Sequence, residues 1–169
     1  MRKNTSLILV LALATITIFF FSCQKEIGQN EIEHNIASDG VSAVESSLTK
    51  SAWTFTSVAL EYGPGDKDEG PLDQCKSDDL YAYEPDGSAT MKHGSIPCSF
   101  DAADGKYATW ELLMQGKQLK EVYTRDMNGE TAGTIVIYDI TFLNASKLVI
   151  SRTITEDGKT FKEYDTYTR

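Results

Sequence analysis

Residues 135–169, IVIYDITFLNASKLVISRTITEDGKTFKEYDTYTR, decide the fold. Val, Ile, Thr, Tyr and Phe dominate this stretch, and β-branched and aromatic side chains suit a pleated, half-buried surface. It reads as strands that span 132–142, 147–154 and 160–168. Asp157-Gly158 is a dipeptide suited to a two-residue hairpin loop. The same texture runs back to Trp53 and predicts further strands over 52–62, 79–84, 87–93, 106–114 and 118–125. In Glu84-Pro85-Asp86-Gly87, Pro85 fixes φ and Gly87 admits φ above zero, so this is a turn. Gln115-Gly116 and Asn128-Gly129 are two more hairpin dipeptides. Eight strands in meander order, with no long helix among them, predict an all-β, eight-stranded antiparallel up-and-down β-barrel. A barrel of that size just holds its own side chains or one small ligand.

Alternation separates lining from surface on each strand. Trp53 and Phe55 share a face, as do Trp110 and Leu112. Val136, Tyr138, Ile140 and Phe142 oppose Ile135 and Ile137, and both sets are apolar. The last strand is the informative one. Phe161, Glu163, Asp165 and Tyr167 lie on one side, with Lys162, Tyr164 and Thr166 on the other. The first set turned inward gives an interior with two carboxylates; the second gives a neutral, aromatic lining. Pattern alone leaves both open.

Ahead of the strands, VSAVESSL (41–48) places Val41, Val44 and Leu48 on one helical stripe. A short N-terminal helix, with Asp39 or Ser42 as its cap, is predicted to plug one end of the strand domain. Residues 24–40, QKEIGQNEIEHNIASDG, are polar and acidic and read as a flexible tether. Further upstream, Arg2 and Lys3 precede an apolar run from Leu7 to Phe21, too short for a spanning helix, which needs about 20 residues. A basic start followed by an apolar stretch of this length is a secretory signal.

That signal ends at Ser22-Cys23 and resembles a bacterial lipobox, with Phe20 where the family usually has Leu. The resemblance implies cleavage before Cys23 and acylation of its thiol by lipid such as palmitate. Two or three acyl chains anchor stably where one holds only marginally. Gln24 after the cysteine implies, by the same likeness, the outer membrane of a Gram-negative envelope, facing the periplasm or the surface. The division is then a signal peptide over 1–22, a lipidated cysteine with tether and short helix over 23–46, and a barrel over 47–169. In an exported chain the remaining pair, Cys75 and Cys98, reads as a disulfide. It would close a loop of about 24 residues, a constraint of roughly 3 kcal/mol.

The formal charge of −9 argues against nucleic acid, which calls for a basic patch. No nucleophile has a histidine partner, since His93 is the only histidine of the domain and reads as exposed on a short strand. The acids of GPGDKDEG (63–70) lack the loop length and terminal bidentate Glu of a calcium site and read as a solvated loop. The expectation is therefore a non-enzyme with no metal and no cofactor.

The ordered set of Trp53, Cys75 with KSDDLYAYEPDG, Cys98, YATWELL around Trp110, IVIYDITFLNASKLVISRT with its turn at Asn144-Ala145, and EDGKTFKEYDTYTR resembles the lipocalin-like domain of small bacterial lipoproteins. The likeness covers 47–169 and implies the barrel more than it implies transport, because Ser51 stands where lipocalins carry Gly. The candidate function is binding of a small, partly apolar molecule in the barrel, with Trp53, Phe55, Tyr83, Trp110, Leu112 and Tyr138 as candidate ligand-binding residues. The alternative is a filled barrel acting as an interaction or structural module of the cell envelope. Its partner would be an envelope protein, met through the acidic 63–79 loop.

Overall fold

The computed structural model describes residues 40–70, 72–96, 103–127 and 129–169. The expected signal, Cys23, the expected tether up to Asp39, and Cys98 lie outside the described residues, and Gly40, counted with the tether, belongs to a helix. Among the described residues one α-helix, α1 (Gly40–Thr49), precedes nine strands. These are β1 (Trp53–Gly63), β2 (Asp66–Gly70), β3 (Leu80–Tyr83), β4 (Ser88–Lys92), β5 (Gly105–Leu113), β6 (Gln118–Tyr123), β7 (Ile135–Leu143), β8 (Lys147–Glu156) and β9 (Lys159–Thr168). Every pairing is antiparallel, and each strand from β3 to β8 pairs with its successor in the chain. β1 closes the ring by pairing with β9 on one edge and with β3 at Trp53 and Thr54 on the other. The result is the eight-stranded closed antiparallel barrel that the meander predicted.

The ninth strand is the departure. Residues 66–70 form β2, which continues along the β1 edge from Val58 to Gly63. All five β2 residues are exposed, so no burial pattern marks the strand in the sequence. The hairpin is set by Gly65 at φ 80°, whose amide donates to Glu61 Oε1 at 3.1 Å. The predicted turns take their expected forms elsewhere. Gly87, at φ 79°, donates to the Glu84 carbonyl, and Asp157 and Gly158 both have positive φ.

Register fixes what faces inward. On β1 the pairing with β9 skips Thr56, so that Phe55 and Val58, on either side of the irregularity, both face the interior opposite Tyr167 and Asp165. On β5 the pairing skips Tyr107, which leaves Tyr107 and Ala108 opposite Ala89 alone. Both are buried, as expected where a bulge puts two successive side chains on one face. The last strand turns Glu163, Asp165 and Tyr167 inward, which answers the question that alternation left open.

The two halves of the barrel differ. At the end where α1 sits, the interior is filled. Leu48, Trp53, Leu119 and Leu148 are fully buried, and Val44 packs against them. Trp53 Nε1 donates to the Leu48 carbonyl at 3.0 Å, and the Arg169 guanidinium lies 3.8 Å from the Trp53 ring centre. The helical stripe read from the sequence thus does close one end, through Val44 and Leu48 rather than through Val41, which is exposed.

Candidate functional site in the upper barrel

The opposite half holds a cavity of about 270 Å³. Its wall comes from β1 (Phe55, Val58), β3 (Tyr81), β5 (Tyr107) and β6 to β9, and Leu72, Asp73, Lys76 and Glu130 from the connecting segments complete the lining. An aromatic belt surrounds the hollow. Tyr81 meets Tyr167 and Tyr107 edge to face at 5.7 and 6.1 Å, Phe55 lies 5.1 Å from Tyr167, and Tyr107 lies 5.8 Å from Tyr123. Edge-to-face packing sets the positive ring edge against a neighbour's negative face, so the belt is held as a unit.

The polar groups are arranged within that belt. Glu121 on β6 is 3% exposed, and its Oε1 accepts from Tyr83 at 2.9 Å and Tyr107 at 3.1 Å. Burial pushes the Glu121 carboxyl up, while hydrogen bonds from Tyr83, Tyr107 and Tyr123 oppose the shift. On β8, Arg152 spans two acids: Nε donates to Glu163 Oε1 and Nη1 to Glu130 Oε1, both at 2.7 Å. Burial opposes its charge, but the bonds to the two carboxylates outweigh it and hold the guanidinium protonated. Asp165 has no such partner among the described residues. Desolvation first, then the charge of Glu163, lifts its carboxyl to about 7, with Arg152 pulling the other way.

Of the six candidate ligand-binding residues, the structure places Phe55 and Tyr138 on the cavity wall. Trp53 belongs to the closed end. Tyr83 sits beneath Glu121 as its hydrogen-bond donor. Trp110 packs on Tyr83 and donates from Nε1 to the Glu84 carbonyl at 3.1 Å, and Leu112 packs against the core. The charged lining was absent from the candidate set. Its signal lay in the alternation: Leu119, Glu121 and Tyr123 share one parity on β6, and Leu148, Ile150 and Arg152 share one on β8. A charge at an otherwise apolar inward parity marks a polar interior.

The histidine and the cysteines complete the comparison. His93 is not an exposed strand residue: it follows β4, is half-buried, and its Nδ1 lies 3.4 Å from the buried Asp79. Cys75 lies in the segment between β2 and β3, and its expected partner Cys98 is outside the described residues.

No protein-family model matches the chain, and no curated protein sequence matches it.

Proposed function

We propose that this protein is a non-catalytic, lipid-anchored carrier or sensor of one small molecule, taken up in the upper half of its barrel. The observation that carries the reading is the cavity itself. A barrel of eight strands can be filled by its own side chains, and here a filled half and a half with a cavity open to solvent share one barrel. Its volume of about 270 Å³ sets the scale. A dry cavity of about 150 Å³ accommodates a benzene ring, so the hollow has room for a ring or short chain with a few polar atoms. The lining of tyrosines around a few charges suits a guest that is partly apolar and partly polar.

The anchoring part of the proposal rests on the sequence: the basic start, the apolar run and Ser22-Cys23. Labelled palmitate should enter the wild-type chain and not Cys23→Ser, and the variant should leave the envelope fraction. The carrier part is tested by native mass spectrometry of the full chain, extracted from its own envelope in a neutral detergent. A co-purifying small mass that is lost on denaturation supports it. A bare protein mass, together with no stabilisation by any compound of a metabolite-sized library, refutes it.

A further inference from the structure

The cavity's charges point to one class of guest. We propose that the barrel binds a small organic cation, an amine or quaternary ammonium on an aromatic or short aliphatic body. Glu121 and Asp165 would receive its charge, and the rings of Tyr81, Tyr138 and Tyr167 its body. The inference rests on the small-molecule reading above and specifies its chemistry.

Among the described lining residues, five carboxylates, Asp73, Glu121, Glu130, Glu163 and Asp165, outnumber two basic side chains, Lys76 and Arg152. Lys76 belongs to the segment between β2 and β3, so the barrel strands themselves offer an anionic guest only Arg152, which is already committed on two sides to Glu130 and Glu163 at 2.7 Å. An anion would have to displace one of those bonds and then sit beside the displaced carboxylate. A cation finds two carboxylates, Glu121 and Asp165, that form no ion pair with a basic group among the described residues. Glu121 is satisfied by hydroxyl hydrogen bonds, which leave its charge uncompensated by any basic group in contact among the described residues. Asp165 is surrounded by charges but receives no hydrogen bond from the described residues. A cation near tyrosine faces is attracted by the ring quadrupoles, and the attraction grows where water is excluded. The volume admits a single ring with its ammonium.

The assignment has a proton signature. Asp165 is flanked on its ladder by Val58 of β1 and Ile150 of β8, neither of which titrates. Glu163 and Tyr167 face it from its own strand, and Arg152 of β8 and Glu121 of β6 act on it across the cavity. With its carboxyl lifted to about 7, it is partly protonated at neutral pH. A bound cation favours the ionised form, so binding expels a proton, and affinity rises with pH.

The test is calorimetric titration of the full chain in neutral detergent with three probes that share a phenethyl body: phenethylamine, phenethyl alcohol and hydrocinnamate. The amine should bind at least about tenfold tighter than the alcohol, and the carboxylate weakest of all. Benzyltrimethylammonium, which cannot titrate, should bind about tenfold tighter at about pH 8 than at about pH 6, with proton uptake by the buffer. Asp165→Asn should lower its affinity and flatten that pH dependence. A preference for the alcohol or the carboxylate overturns the cation assignment while leaving a small-molecule barrel intact. A pH-independent affinity for benzyltrimethylammonium in the wild type, or no binding of either cation, overturns it too, and the mass-spectrometric test judges the broader reading separately.

Discussion

Replacing Asp165 by Asn should make the protein less sensitive to rising pH, by an amount the structure sets. The carboxyl titrates near its ordinary value of 3.8 in the unfolded chain and at about 7 in the folded one. The folded state therefore binds more protons between those two values, and stability falls as pH rises through that window. Below 3.8 both states are protonated and Asp165 makes no difference. Above about 7 both are ionised, and the penalty is complete and constant. Each unit of the window costs about 1.4 kcal/mol, so moving from about pH 5 to about pH 8 removes roughly 3 kcal/mol of wild-type stability through this residue. Urea unfolding, followed by tryptophan fluorescence across that range, measures it as a change in midpoint at constant slope. The Asn variant keeps the side-chain shape and cannot ionise, so its profile should be flatter by most of that amount. Parallel profiles for the two proteins would show that Asp165 titrates alike in both states. The desolvation argument would then fail.

The packing sets three further outcomes. Trp110→Ala should cost about 3–5 kcal/mol in urea unfolding, because the ring is buried against Tyr83; it should leave the affinity for a cavity guest unchanged, because Trp110 does not line the hollow. Arg152→Leu leaves Glu130 and Glu163 without their shared cation and should destabilise the fold by about 3 kcal/mol at neutral pH; the loss should shrink in acid, and the Asp165 carboxyl should move further up as the charge that pulls it down disappears. Gly94→Ala would drive a methyl group into the Asp78 carboxyl, whose Oδ2 accepts from both the Ser95 amide and hydroxyl at 2.7 Å. Those bonds hold Asp78 below the usual carboxylate range, so an NMR titration of the variant should find its carboxyl back near the ordinary value.

The barrel was legible because its strands announce themselves through β-branched and aromatic runs, and its turns through residues with a mechanism, such as Gly87 and Asp157-Gly158. β2 was not legible. DKDEG buries nothing, and the strand exists because β1 extends beyond the point where β3 leaves its edge. The cavity was half legible. Alternation grouped Glu163, Asp165 and Tyr167 correctly but could not say which way they faced, since that depends on closure against β1. Aromatic size drew attention to Trp53 and Trp110, and the structure uses both as filling. Tyr107 was hidden for a different reason: strict alternation puts it on the outer face with Thr109, and the skipped pairing on β5 brings it back in.

The closure of the ring has a consequence for how the chain reaches its native state. β1, the first strand, finds its main partner in β9, the last: Thr54 pairs with Thr168 and Glu61 with Lys162. Arg169 then stacks on Trp53. Contacts so distant along the chain must wait for a large loss of chain entropy, and folds dominated by them form slowly. Until β9 has been synthesised, β1 has one long edge unsatisfied and the aromatic belt lacks Tyr167. The barrel therefore cannot be completed while its C-terminal strand is still on the ribosome.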